Sequence, residues 1–222
     1  MRFIELSHTI EHGLITYPGL PAPIISDHLS REASASRYAP GTTFQMGMIQ
    51  MIVNTGTYLD APFHRYSDGE DLAGIGLERL AFLEGMVIDV PEDTRPIDAR
   101  RLNRISVEGL AVLFRTGWSR HFGTSFYGTG HPYLTADAVT FLIEGRAALV
   151  GIDSLNIDDT ADLTRPAHTL LLGAGIPIVE HLTNLSALPV SRFRFFATPP
   201  RVKGVGSFPV RAFAVVEETD PS

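Results

Sequence analysis

The stretch Asn54-Thr-Gly-Thr-Tyr-Leu-Asp-Ala-Pro-Phe-His64 is the most informative part of the chain, because it groups residue types that catalyse reactions or bind metals. In an extended conformation, alternate side chains lie on one face of the strand. Four polar residues of the stretch would then face the same way: Asn54, Tyr58, Asp60 and His64. Asp60 is the only charged residue from Gln50 to Phe63, and a carboxylate near a core requires a cation or several hydrogen-bond donors. A purely structural interpretation stays open, in which Asp60 caps the following turn and His64 lies at the surface.

The composition favours one compact domain and argues against several functional classes. The chain has 222 residues, of which 44% are hydrophobic, so we expect a single domain over residues 1–222. A net charge of −7 argues against a nucleic-acid partner, because phosphate backbones are bound by basic surfaces. The sequence has no cysteine, so any metal must be held by nitrogen and oxygen ligands.

The sequence shows no signal for a membrane, for export or for a nucleotide. Its apolar runs are far below the roughly 18 residues that a membrane span requires, and charged residues interrupt the N-terminal stretch MRFIELSHTIEHGL. We therefore expect a cytoplasmic protein without a membrane partner. No pattern such as G-x-G-x-x-G is present, so we expect no nucleotide cofactor.

Short apolar runs alternate with helical patterns along the chain, which indicates an α/β or α+β fold. We predict seven strands, most of them central in a sheet: Phe44–Val53, Met86–Val90, Ala111–Phe114, Ala148–Ile152, Ile176–Val179, Phe193–Phe196 and Ala212–Val216. We predict two helices at Leu134–Gly145 and Ala167–Gly173, each closed by a glycine. The charged tail EETDPS at residues 217–222 should fray.

A second segment, from His168 to Glu180, contains another potential set of metal ligands. A helix beginning at His168, a stop at Gly173–Gly175 and a short strand ending at Glu180 would bring an imidazole and a carboxylate close together. With Asp60 they would provide two negative charges and one neutral nitrogen, which suits a divalent ion. Spacing alone makes this a weak prediction, since a histidine and two acids occur in most proteins.

The stretch T-G-T-Y-L-D-A-P-F-H resembles the motif H-x-G-T-H-x-D-x-P-x-H of the cyclase family, which includes bacterial kynurenine formamidases, isatin hydrolases and related amide and lactam hydrolases. Further segments resemble the family in the same order: Leu6-Ser7, Tyr17-Pro18-Gly19, Arg115–Trp118, His131–Leu134, Gly151–Ser154, His168 with Glu180, and Leu182–Leu185. The resemblance implies a mixed sheet with flanking helices, of the swivelling β/β/α kind. It also implies a homo-oligomer, either a dimer or a tetramer, and a small-molecule substrate.

Carried over residue by residue, the resemblance implies that Asp60, His168 and Glu180 bind metal and that His64 is the general acid/base. The two remaining motif histidines, which would be ligands in the family, are Asn54 and Tyr58 here. An amide oxygen is a weak ligand and a phenol must ionise before it binds well. We therefore expect one divalent ion, Zn or Mn, instead of two.

Several neighbouring residues have expected roles around this ion. Asn54 and Tyr58 would be free to donate hydrogen bonds to a substrate oxygen, and Phe63 would lie against the substrate. Arg65 could bind a substrate carboxylate or simply lie in solvent. Asp153 is expected to orient His168 or a backbone turn.

The predicted function is a metal-dependent hydrolase of a small amide, lactam, imide or ester. Two alternatives remain. The first is a metal-independent lyase or cyclase that uses His64 and Tyr58 as acid and base. The second is a non-catalytic protein that binds a small molecule, in which Asp60 hydrogen-bonds Tyr58 and His168 pairs with Glu180.

Overall fold

A computed structural model describes residues 1–103 and 105–217 of the chain. Its strands are β1 Arg2–Glu5, β2 Ile24–Leu29, β3 Met46–Gln50, β4 Tyr58–Asp60, β5 Leu83–Asp89, β6 Pro96–Ile97, β7 Ala111–Arg115, β8 Tyr133–Leu134, β9 Leu149–Ile152, β10 Ile178–Glu180, β11 Ser191–Phe196, β12 Ser207–Pro209 and β13 Phe213–Val216. Its α-helices are α1 Arg31–Ser34, α2 Ala136–Glu144 and α3 Pro166–Gly173. The prediction that the EETDPS tail frays concerns residues that, from 218 onward, lie outside the described part of the chain.

A nine-stranded mixed sheet forms the centre of the fold, in the order β1-β13-β11-β5-β7-β9-β10-β4-β12. The four central strands β5, β7, β9 and β10 pair in parallel, whereas the outer pairs are antiparallel. Strands β1 and β13 come from the two ends of the described chain and pair with each other. The mixed sheet agrees with the predicted α+β class.

The parallel strands are buried on both faces, as their continuous apolar sequences predict. On β7, Val112 and Phe114 pack with α2 and α3, while Leu113 points into a second apolar core on the opposite face. Helices α2 and α3 lie within or next to the segments predicted to be helical. Among the described residues, no helix combines the length and the apolar content needed to cross a bilayer.

A strand forms within Phe44–Val53, as predicted, but it is not one of the central strands. Among the described residues, strand β3 pairs with β2 alone, in a separate two-stranded sheet here called the β2–β3 arm. All five residues of β3 are exposed. Met46, Met48 and Ile49 are 48%, 51% and 58% exposed. The alternation of apolar residues shows that a segment is a strand, but it does not show whether the apolar face meets the chain's own core.

Candidate active site

Three neighbouring strands at one side of the sheet bring four polar side chains to a common face. Strand β4 lies between β10 and β12, with Tyr58 opposite Glu180 and Asp60 opposite Ser207. Directly opposite residues of antiparallel strands share a face, and so do residues two apart on one strand. The predicted convergence of Tyr58 and Asp60 therefore holds, and the sheet adds Glu180 and Ser207 to them.

Asp60 is fully buried, yet one of its two oxygens has no hydrogen-bond partner among the described residues. Its Oδ1 accepts hydrogen bonds from the Ser207 hydroxyl and, at 3.5 Å, from Asn54 Nδ2. Burial raises the pKa of Asp60, but the charge of His64 and the hydrogen bond and charge of His168 outweigh burial and hold the pKa below its usual value. Asp60 is therefore an ionised buried carboxylate whose Oδ2 faces His168 Nε2 at 3.5 Å, and an ionised carboxylate in this setting requires a cation nearby.

His168 lies in the first turn of α3 with its Nε2 atom directed at two carboxylates. Its Nδ1 is 2.6 Å from Asp158 Oδ2, and Asp158 also accepts the backbone N–H groups of Ala167 and His168. Nε2 lies 3.5 Å from Asp60 Oδ2 and 3.7 Å from Glu180 Oε1. Burial lowers the pKa of His168, but Glu180, Asp158 and Asp60 together raise it to about 10. Their field favours positive charge at this point of the site.

Asp158, not Asp153, orients His168. Asp153 instead accepts hydrogen bonds from the backbone N–H groups of Thr116 and Gly117 and from the Thr116 hydroxyl. Asp153 thus fixes a backbone turn, which was the other role expected of it. Sequence spacing did not show which of the two aspartates contacts His168, because both follow the same strand, β9.

Glu180 is fully buried at the end of β10 and is held by two short hydrogen bonds. Its Oε2 accepts from the Tyr58 hydroxyl at 2.5 Å, and its Oε1 accepts from the Ile157 N–H at 2.6 Å. Burial raises the pKa of Glu180 to about 7, against the lowering effect of His168 and with a further rise from Asp60. Burial, together with Glu180 and Asp60, also raises the pKa of Tyr58. Tyr58 stays protonated and donates its single proton to Glu180.

His64 ends the 3-10 turn Pro62–His64 that follows β4, and its side chain is 37% exposed. Its Nδ1 lies 2.8 Å from Ser207 Oγ. Ser207 has one hydroxyl proton and donates it to Asp60, so Nδ1 must donate to the serine oxygen. In the neutral ring Nε2 then carries the lone pair, which is the form that a general base requires.

The donor set fits a divalent cation. Ligands of one zinc ion lie about 2.0–2.2 Å from it, and hence roughly 3–4 Å from one another, which agrees with the distances between His168 and the oxygens of Asp60 and Glu180. Asp60, His64 and His168 form a second, overlapping set, with ligand atoms within 4.8 Å of one another. Asp60 and His168 are common to both sets; the first set contains all three predicted ligands, and the second contains two of them.

A cavity of about 380 Å³ opens above these residues. Its lining consists of Tyr17, Leu20, Asn54, Tyr58, His64, Arg65, Asn156, Leu163, Thr164, Arg165 and His168. Phe63 does not line it. In a 3-10 turn successive side chains point about 120° apart, so Phe63 does not face the same way as His64.

Comparison with known proteins identifies the family. The family model described as "Putative cyclase" matches residues 4–159. The chain belongs to the cyclase family. The kynurenine formamidases of Bacillus mycoides (strain KBAB4) and Bacillus anthracis are each 28% identical to it, over 212 and 213 residues that cover 95% of this chain and 96% of theirs.

Solved structures of the family resemble this fold along nearly the whole chain. Isatin hydrolase A from Labrenzia aggregata, bound to benzyl benzoate, has a TM-score of 0.82 and 26% identity, covering 98% of this chain and 94% of its own. A potential metal-dependent hydrolase with cyclase activity has a TM-score of 0.80 and 25% identity, covering 98% and 99%. The predicted family and fold are confirmed. The prediction of a hydrolase of carbon–nitrogen bonds is confirmed at the level of the family, whose named members include formamidases and isatin hydrolases.

Proposed function

We propose that this cyclase-family protein is a metal-dependent hydrolase of a small amide, lactam, imide or ester, with one divalent ion, Zn or Mn. The observation that carries the proposal is the cluster of Asp60, His64 and His168, whose ligand atoms lie within 4.8 Å of one another, with Asp60 Oδ2 3.5 Å from His168 Nε2.

Asp60, His168 and Glu180 would hold the ion. A divalent ion bound there would polarise a substrate carbonyl and lower the pKa of water. A bound ion would take the place of the proton that the neighbouring carboxylates favour on His168, while Asp158 would keep the proton on Nδ1. Tyr58 and the Ile157 N–H fix the orientation of Glu180.

His64 would transfer the proton. Its Nε2 takes a proton from the attacking water as the new carbon–oxygen bond forms. It then delivers that proton to the leaving nitrogen or oxygen as the old bond breaks. Ser207 holds the ring in the required tautomer through the chain His64 Nδ1, Ser207 Oγ and Asp60 Oδ1.

Asn54 and Tyr58, which stand at two motif histidine positions, would stabilise the site without binding the ion. The Tyr58 proton is engaged with Glu180, so the role we assign to Tyr58 is to hold that carboxylate and to lend the cavity an aromatic wall. Asn54 Nδ2 donates to Asp60 Oδ1 at 3.5 Å and also interacts with the Tyr58 hydroxyl; a substrate oxygen would compete with these contacts for its two amide hydrogens. Phe63 would support the turn that carries His64 instead of contacting substrate.

Metal removal tests the function. Protein purified without a His tag should hydrolyse formanilide or isatin and should lose at least about 90% of that activity after dialysis against a chelator. Addition of Zn or Mn should restore the activity, because the ion supplies several kcal/mol of transition-state stabilisation. Activity that survives the chelator would favour the metal-independent lyase, and an inactive protein with no bound ion would favour the binding protein.

A second copy of this chain is the partner that we propose for the β2–β3 arm. Ile24, Phe44, Met46, Met48 and Ile49 are all 48% or more exposed there, whereas soluble monomers rarely expose contiguous apolar surface. The cyclase-family resemblance implies a homo-oligomer, and an isologous contact would bury the same apolar residues on both copies.

Substitution of Met48 should change the oligomeric state. We expect the unaltered chain to be a dimer or tetramer by light scattering and Met48→Glu to shift toward a monomer, because a buried unpaired charge opposes the contact. Leu77→Glu, at an apolar residue that is 68% exposed outside the arm, is the matched control and should leave the mass unchanged. A monomeric unaltered chain, or an effect of both variants alike, would contradict the assignment.

A further inference from the structure

Two arginines line the cavity of the proposed active site, and both are anchored next to helix α3. Arg65 directly follows His64, and its Nε donates to Thr169 Oγ1 at 3.3 Å. Arg165 directly precedes the helix, and its Nη1 donates to Asn156 Oδ1 at 3.3 Å. Arg165 has a positive φ of 49°, an uncommon conformation for a residue other than glycine. The two guanidinium groups therefore approach one cavity from two different segments of the chain.

Neither guanidinium is neutralised by an acid. In residues 1–103 and 105–217, no carboxylate lies within ion-pair distance of Arg65 or Arg165. The Asp162 Oδ1 accepts from the backbone N–H and hydroxyl of Thr164; these hydrogen bonds are the main cause of the lowered pKa of Asp162, and the charge of Arg165 adds to it. A guanidinium has five N–H donors, and the side-chain contacts of each arginine use one of them.

Apart from the two arginines, the cavity has acidic groups beneath it and apolar side chains in its walls. Asp60 and Glu180 lie beneath it, and a divalent ion would balance their two charges. Tyr17, Leu20 and Leu163 provide apolar walls. A neutral substrate would leave the two cations without a counter-charge, whereas a carboxylate would match the planar donors of an arginine.

We propose that Arg65 and Arg165 form a subsite for a carboxylate, so that the substrate is an amide or ester whose apolar body carries a negative charge. This inference rests on the proposed function, of which it names the substrate class. The reacting carbonyl would face His64 and His168, the apolar body would contact Tyr17, Leu20 or Leu163, and the carboxylate would meet the two guanidinium groups.

The test compares two ligands of the same shape and different charge. The pair 2-formamidobenzoate and 2-formamidobenzamide would be assayed for hydrolysis by the unaltered holoenzyme, by Arg65→Gln, by Arg165→Gln and by the double variant. We expect the unaltered enzyme to favour the acid at least about tenfold in kcat/KM and the double variant to bring that ratio near one. Arg146→Gln is the matched control, because Arg146 pairs with Glu108 and does not line the cavity; it should keep the preference.

A binding measurement separates this inference from the proposed function. Calorimetry with 2-aminobenzoate and 2-aminobenzamide needs no turnover, and we expect tighter binding of the acid, lost in the double variant. That result without any hydrolysis would support the carboxylate subsite and contradict the hydrolase. Equal values for acid and amide, or a preference for the acid that persists in the double variant, would overturn the subsite even if both formamides are hydrolysed.

Discussion

The Asp60→Asn protein should fold normally, lose its divalent ion and lose about a thousandfold in kcat/KM. Asparagine keeps an oxygen that can accept from Ser207, but it replaces the ionised oxygen that faces His168. Removal of several kcal/mol of stabilisation by the ion corresponds to about three factors of ten, at 1.36 kcal/mol each. Elemental analysis per chain and the rate of formanilide hydrolysis are the two measurements.

The Tyr58→Phe protein is the matched control for Asp60→Asn. It removes one buried hydroxyl two residues before Asp60, on the same face of β4. It leaves every proposed ion-binding atom in place. We expect it to keep about one ion per chain, with a modest loss of rate because Glu180 loses a donor. Full metal content in Asp60→Asn would contradict the single-ion site, and loss of the ion in Tyr58→Phe would place the phenol oxygen among its ligands.

The His64→Ala protein should keep its ion and lose about 10²–10⁴-fold in kcat, the range typical of a general acid/base. Because the His64 ring is partly exposed at the cavity, imidazole added to the solution should reach its place and restore part of the rate. Turnover with and without imidazole, together with metal content, measures both expectations.

Metal content also decides between the two overlapping ligand sets. If His64→Ala loses the ion, His64 is a ligand together with Asp60 and His168, and the proton-transfer role is wrong. The Ser207→Ala protein provides the control for positioning. It should keep the ion and reduce kcat less than His64→Ala does, and imidazole should not rescue it, since the ring of His64 is still present.

The sequence predicted the central strands and the buried site residues because both follow from local patterns. The apolar runs at β7 and β9 are typical of buried strands, and the motif around Asp60 and His64 identified the family and the main polar residues. His168 and Glu180 are close along the chain, so the sequence allowed the prediction that a helix followed by a strand brings them together. These signals are contained in short segments, and the structure agrees with them.

Other features depend on pairings between distant segments, which one sequence does not show. Ser207 lies 147 residues after Asp60 and reaches it only because β12 pairs with β4. Its surroundings, a serine between glycine and phenylalanine, have no catalytic signature. Likewise, β3 has the composition of a core strand, but the sheet order places it outside the core.

Asp60 contacts residues that lie far along the chain, and this affects how function should be assigned to relatives. The family model matches residues 4–159, whereas His168, Glu180 and Ser207 follow that region. A homologue recognised by that region alone could retain Asp60 and His64 and still lack the other three residues. Function should therefore be assigned to a relative only after its equivalents of all five residues have been checked, including the serine near the C-terminal end.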